Sequence, residues 1–307
     1  DRETNSAYNM FAQSGHYYLT ESIKLEKNFE IRPGQEITIC LNGYTLSTGH
    51  AQTIFRITGG KLNICDCTGA GTVKSTWAGT SPLVYLLNGY AGDEGVTFNL
   101  YGGKLTSTGK SGTNGAGAIQ LSNNNTTNPC VMNMYGGTIT GTQRKLGGAI
   151  SMLNSAAATL NMYGGTITGG STVTATDSEG KVTGGTGGNI YCVSGTVNLY
   201  SGTVTGGTAA AQGGNIYVNN VNDSRVGALY IHNAKVTGGT AATRGGNIYI
   251  HKGTFAMYGG TVTGGTLTEA QYGADIAIGK NEPLSATLDG KVTIGEIGAY
   301  GDSDEAF

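Results

Sequence analysis

The feature that most restricts the fold is a short motif, GTIT or a close variant, that returns along almost the whole chain. It is centred on Leu46, Val73, Leu105, Ile139, Ile167, Val204, Val236, Val262 and Val292, at spacings of 27, 32, 34, 28, 37, 32, 26 and 30 residues. Repeats of this size indicate units that bury their apolar side only against neighbouring units. Propeller blades would hold a period of ~40 to 45 residues, and a left-handed β-helix would show hexads. A sliding period suits a right-handed solenoid, the hand favoured by parallel crossovers.

A second motif opens a strand with a small-residue pair. It reads Gly147-Gly148-Ala149-Ile150, Gly187-Gly188-Asn189-Ile190-Tyr191, Gly213-Gly214-Asn215-Ile216-Tyr217 and Gly245-Gly246-Asn247-Ile248-Tyr249, with weaker copies at Gly117 and Gly273. Between the motifs lies a third strand, as in Thr159–Tyr163, Thr196–Tyr200 and Thr254–Tyr258. Apolar residues alternate within each strand (Ile216/Val218, Leu160/Met162, Val197/Leu199), turning one side inward and the other to solvent. The expected fold is therefore all-β, a right-handed parallel β-helix of about nine three-strand coils. Nine rungs at ~4.8 Å make a rod about 45 Å long.

The paired glycines and the asparagines at 189, 215 and 247 are expected to supply left-handed backbone angles at a corner, with the asparagines forming a ladder. Residues 1–36 lack the repeat. They carry Tyr8, Met10, Phe11, Tyr17 and Tyr18, and are expected to cap the first coil. Residues 37–295 form the β-helix, and 296–307, with Asp302, Asp304 and Glu305, a solvated tail. Longer coils at 88–95, 122–129, 171–186 and 219–227 should map to loops.

The 307 residues carry 18 Lys+Arg against 20 Asp+Glu, for a net charge of -2. The basic residues are scattered, so no phosphate-neutralising face and no nucleic-acid partner is expected. No stretch approaches the ~20 apolar residues needed to span a bilayer. Chemistry-bearing clusters are sparse. The carboxylates Asp93/Glu94 and Asp177/Glu179 are expected to be solvated loop charge, and His16, His50, His232 and His251 do not have metal-ligand spacing. No metal and no cofactor is expected.

Cys40 and Cys65 follow the inward Ile39 and Ile64, so they should occupy equivalent positions one coil apart. Free stacked thiols, a bridge from Cys40 to Cys65 or Cys67, and a metal site all remain open for them. Cys130 and Cys192 belong to the core.

Tyrosines give the strongest functional lead. Tyr101, Tyr135, Tyr163, Tyr200 and Tyr258 recur at one outward position, with His232 replacing Tyr in one coil, and Tyr191, Tyr217 and Tyr249 recur at another. Such ladders can stabilise parallel strands or form a recognition surface. The phase of the repeat sets Asn133 with Tyr135, Asn161 with Tyr163 and Asn198 with Tyr200. This strip, with Tyr258, is the candidate binding site, each tyrosine offering a broad apolar face and a polar rim.

Cys40-Leu41-Asn42-Gly43, Cys65-Asp66-Cys67 and the GTITGG and GGNIY copies together resemble the pectate-lyase-like β-helix regions of large surface proteins from anaerobic Gram-positive gut bacteria. The resemblance spans roughly residues 15 to 295. It implies a secreted or cell-wall-attached protein, anchored through regions outside this stretch. The leading expectation is a monomeric, non-catalytic adhesin for a host or mucosal glycoprotein, a glycan or an immunoglobulin. A carbohydrate-active enzyme, either lyase or glycosidase, is the alternative, and a structural stalk is third.

Overall fold

The computed structural model describes residues 11, 13–49, 53–88, 95–112, 117–123, 128–153, 157–176, 178–222, 224–269, 273–279 and 284–300. These residues form a parallel β-helix whose coils each pass through three main faces. The first face stacks Gly15–Tyr18, Glu36–Cys40, Gly60–Cys65, Val96–Leu100, Cys130–Met134, Ala158–Met162, Gly195–Leu199 and Gly227–Ile231. The second face carries the GTIT strands, among them Thr138–Thr140, Thr166–Thr168 and Thr203–Thr205. Gly253–Thr263 and Leu284–Ile294 each run through both faces.

The third face holds ten strands in sequence order, from Phe29–Ile31 to Ile297–Tyr300. Ten coils are thus present among the described residues, where the repeat indicates nine. The extra coil lies inside the stretch expected to be a cap: Gly15–Tyr18, Ile23–Leu25 and Phe29–Ile31 pair in parallel with the strands of the next coil. Its strands are only three or four residues long and lack the glycine pair, so the alternation was too short to read. At the other end Ile297–Tyr300, inside the expected tail, pairs with Ile276–Gly279.

The alternation sets the core. Leu160, Met162, Val197, Leu199, Ile216 and Val218 are all fully buried. Burying each such side chain contributes roughly 1.5–3 kcal/mol, and only the stack provides the burial. Phe11 closes the N-terminal end by packing edge-on against Tyr17 at 5.0 Å and Phe29 at 4.6 Å. Tyr18 does not join it and stays exposed, while Tyr8 and Met10 lie outside the described residues. Leu288 and Ile297 of the last coil are exposed.

Between the second and third faces runs a narrow fourth ribbon: Gln143–Arg144, Ser171–Thr172, Thr208–Ala209, Thr240–Ala241 and Thr266–Leu267. The glycine pairs sit beside it, and their two members have different roles. Gly187 has φ +65, a left-handed angle, whereas Gly188 is needed for space, since a Cβ there would collide with the backbone of Gly214 in the next coil. The asparagines that follow do not take left-handed angles, contrary to the sequence expectation; Asn42 and Ser194 are the described non-glycine residues that do.

Asn189, Asn215 and Asn247 do form the expected ladder, as a buried chain of amides. Asn189 donates to Asn215 at 2.7 Å, Asn215 to Asn247 at 2.7 Å, and Asn247 to the Asp275 carboxylate at 2.8 Å. Each carbonyl oxygen also accepts a glycine N–H, from Gly170, Gly207 and Gly239 in turn. The side-chain amides of the three asparagines are thereby satisfied.

Candidate functional site

The corner after each first-face strand carries the tyrosine file expected from the repeat. Tyr101, Tyr135, Tyr163 and Tyr200 stack at centroid distances of 4.9, 5.0 and 4.9 Å with planes 3 to 9° apart. His232 continues the stack at 4.6 Å from Tyr200 and 5.2 Å from Tyr258. The tyrosines are 36 to 50% exposed, so the file is an outer surface.

Its geometry corrects one part of the sequence reading. Two parallel rings with centroids 5 Å apart cannot lie side by side in one plane without overlapping atoms, so they turn their faces toward each other. The broad apolar faces are therefore covered by neighbouring rings. What remains for a ligand is a row of ring edges and hydroxyls, one per coil. Partial burial pushes the Tyr163 hydroxyl above the ordinary phenol value, and the neighbouring Tyr200 and Tyr135 phenols add to the shift. That hydroxyl stays neutral at physiological pH and can both donate and accept.

Beside the tyrosines runs a second amide ladder, longer than the sequence indicated. Asn99 donates to Asn63 at 2.7 Å, Asn133 to Asn99 at 2.9 Å, Asn161 to Asn133 at 2.9 Å and Asn198 to Asn161 at 2.8 Å. Asn63 in turn donates to Thr38 and to Glu36, which pairs with Lys61 at 3.2 Å. Bonds from Lys61 and Asn63 hold the Glu36 carboxyl below its ordinary value. Asn63 and Asn99 escaped the sequence reading, although Asn99 stands two residues before Tyr101 as Asn133 stands before Tyr135. Asn133 and Asn161 each use one N–H and one oxygen lone pair in the ladder, and Asn198 at its end uses one N–H, which leaves a second N–H and acceptor capacity on these half-buried amides.

The second tyrosine file is not an outer surface. Tyr217 is 8% and Tyr249 1% exposed, and both pack with Ala277 in a small apolar cluster against which Tyr191 rests. Burial pushes the Tyr191 hydroxyl up to about 12 and raises that of Tyr217 as well. Tyr217 accepts a bond from Asn219, and Tyr249 bonds His251 at 3.1 Å. This file serves the fold.

Toward the N-terminal half, the third face carries a cleft of about 310 Å³ lined by Thr53, Thr80, Ser81, Pro82, Tyr85, Gln120 and Leu153. Its lining mixes polar and apolar side chains and carries no charge. Tyr85, Gln120 and Leu153 are outward positions of third-face strands, and Thr53 and Thr80 to Pro82 from the preceding corners complete the cleft.

Asp66 and Asp275 are held in structural bonds. Asp66 accepts the N–H groups of Gly43 and Gly71, and Asp275 those of Gly265 and Glu296. Glu179 is exposed near the turn of a hairpin that pairs Thr174–Thr176 with Val182–Gly184; Asp93, Glu94, Asp177, Asp223 and His50 lie outside the described residues. No family model, curated protein or solved structure matches the chain.

Proposed function

We propose that this chain is a non-catalytic, ligand-binding β-helix of the secreted or cell-wall-attached kind, and that it holds an extended glycan, free or on a host or mucosal glycoprotein, along the tyrosine and asparagine files. One observation carries the reading: Tyr101, Tyr135, Tyr163 and Tyr200 stand exposed in a straight file at 4.9 to 5.0 Å, with amide groups beside them. That step is close to the length of one sugar residue in an extended chain. A chain laid along the rod would therefore meet one hydroxyl and one amide per residue.

The contacts on offer are neutral hydrogen bonds and ring edges, chemistry suited to uncharged sugar hydroxyls and to adaptable binding. Recognition of an immunoglobulin would use the same file through its attached glycan. The test is the triple variant Tyr135→Ala, Tyr163→Ala, Tyr200→Ala on a glycan and glycoprotein array. Loss of the wild-type signals with an unchanged β-sheet circular dichroism spectrum is expected. Full binding by the folded variant would remove the file as the site and direct attention to the Tyr85/Gln120 cleft.

A further inference from the structure

Below Tyr101 the same corner position is held by Cys65 and then by Cys40, since Leu100 pairs with Ile64 and Cys65 with Cys40. Cys40 ends its first-face strand, and the parallel register sets it opposite Cys65, the last residue of Gly60–Cys65. Two residues later the chain turns the corner and brings Cys67 against Cys40, with the sulfurs 3.1 Å apart. Unbonded sulfurs at this distance are in contact, about 1 Å from the length of a disulfide bond.

The corner is fixed by groups other than the thiols. Asp66 accepts the N–H groups of Gly43 at 2.8 Å and Gly71 at 3.0 Å, Asn42 donates its side-chain amide to Leu19 O at 3.0 Å, and Leu41 N–H bonds Cys65 O at 2.8 Å. The meeting of the sulfurs therefore follows from the corner's own bonding. Cys67 is exposed to solvent, Cys40 and Cys65 partly so.

The thiols also differ in ionisation. Partial burial pushes Cys40 up, but hydrogen bonds from the Cys67 thiol, the Asn42 and Cys67 backbone and the Cys65 thiol outweigh it, leaving Cys40 below an ordinary thiol. Burial, with the neighbouring Cys40 charge, pushes Cys65 up to about 11. A thiol with more thiolate character beside an accessible second thiol is the usual requirement for exchange.

We infer that Cys40 and Cys67 form a thiol–disulfide exchange site whose substrate is an external disulfide, either a small molecule or a protein. The Cys40 thiolate attacks the external disulfide, releasing one thiol and leaving a mixed disulfide on Cys40. Cys67 then loses its proton to solvent and attacks the Cys40 sulfur, releasing the second thiol. Two protein thiols are oxidised and one external disulfide is reduced to two thiols. Cys65 stays reduced beneath them. The new bond ties the second coil to the third across 27 residues, near the N-terminal end of a stack held only by neighbour contacts.

The experiment incubates the fully reduced chain with oxidised glutathione, alkylates it under denaturing conditions and maps the products by mass spectrometry. A Cys40–Cys67 linked peptide with Cys65, Cys130 and Cys192 alkylated is the expected result, with a melting temperature a few degrees above the reduced form. Cys67→Ser, an exposed change, should stop at a glutathione adduct on Cys40. Alkylated Cys40 in the oxidised wild type, a Cys40–Cys65 or Cys65–Cys67 link instead, or a Cys67→Ser chain without an adduct on Cys40 would each overturn the site.

Discussion

Asn198 donates its side-chain amide to the carbonyl oxygen of Asn161 at 2.8 Å, although 37 residues separate them. The coil between them carries the Thr174–Gly184 hairpin, yet Thr159 through Met162 remain in register with Thr196 through Leu199. The hairpin leaves at the corner and returns to it, bonded to Arg144 O through Val173 and to Lys145 O through Gly185. Insertions thus change coil length without disturbing the files.

The buried amide ladder should tolerate substitution less well than the outer one. Asn215 accepts Gly207 N–H and the Asn189 amide, and donates to Thr237 O and Asn247. Asn215→Ala would leave several of these groups unpaired in the interior, so a loss of about 3 kcal/mol or more is expected. Asn161→Ala, half-exposed, should cost about 1 kcal/mol. Chemical denaturation of the two variants checks the order.

Ile216→Asp should prevent folding of the surrounding coils. The side chain is fully buried and no cation faces it among the described core residues, so a cost of more than about 4 kcal/mol is expected. Circular dichroism reads the outcome, and a wild-type melting curve would contradict the inward assignment.

Gly188→Ala and Gly34→Ala separate two uses of glycine. Gly34, at φ +77 with open space around the added Cβ, should lose about 1 kcal/mol through strain alone. Gly188 has no unusual φ, but its Cβ would meet Gly214 and Thr208 backbone atoms, so Gly188→Ala should be the more damaging of the two. Melting temperatures of the pair decide this.

Alkaline pH should weaken the rod. Burial pushes the Cys130 and Cys192 thiols from 9.0 up to about 12, and the Tyr191 hydroxyl from 10.0 up to about 12. The unfolded chain releases these protons first, so it binds fewer of them between the two values and stability falls as pH rises. Stability from these groups is intact below pH 9 and declines between about pH 9 and 12. Denaturant midpoints measured from pH 7 to 11 should be level at first and then drop, and Cys192→Ala should soften the drop.

The sequence by itself determined the coil, the inward and outward sides of its strands, and the file running from Tyr101 to Tyr258 through His232. Those follow from alternation and period, which are local properties repeated many times. The tertiary structure decided what covers each outward position. Tyr163 and Tyr217 carry the same pattern signal, yet one is 42% exposed and the other lies in a closed cluster. Stacking also turned the tyrosine faces toward one another, and it brought Asn63 and Asn99 into the outer ladder and Cys67 onto Cys40. Alternation fixes the side of a strand on which a residue stands. Its neighbours there come from other coils, whose lengths vary and whose corners are irregular, and only the folded stack sets them together.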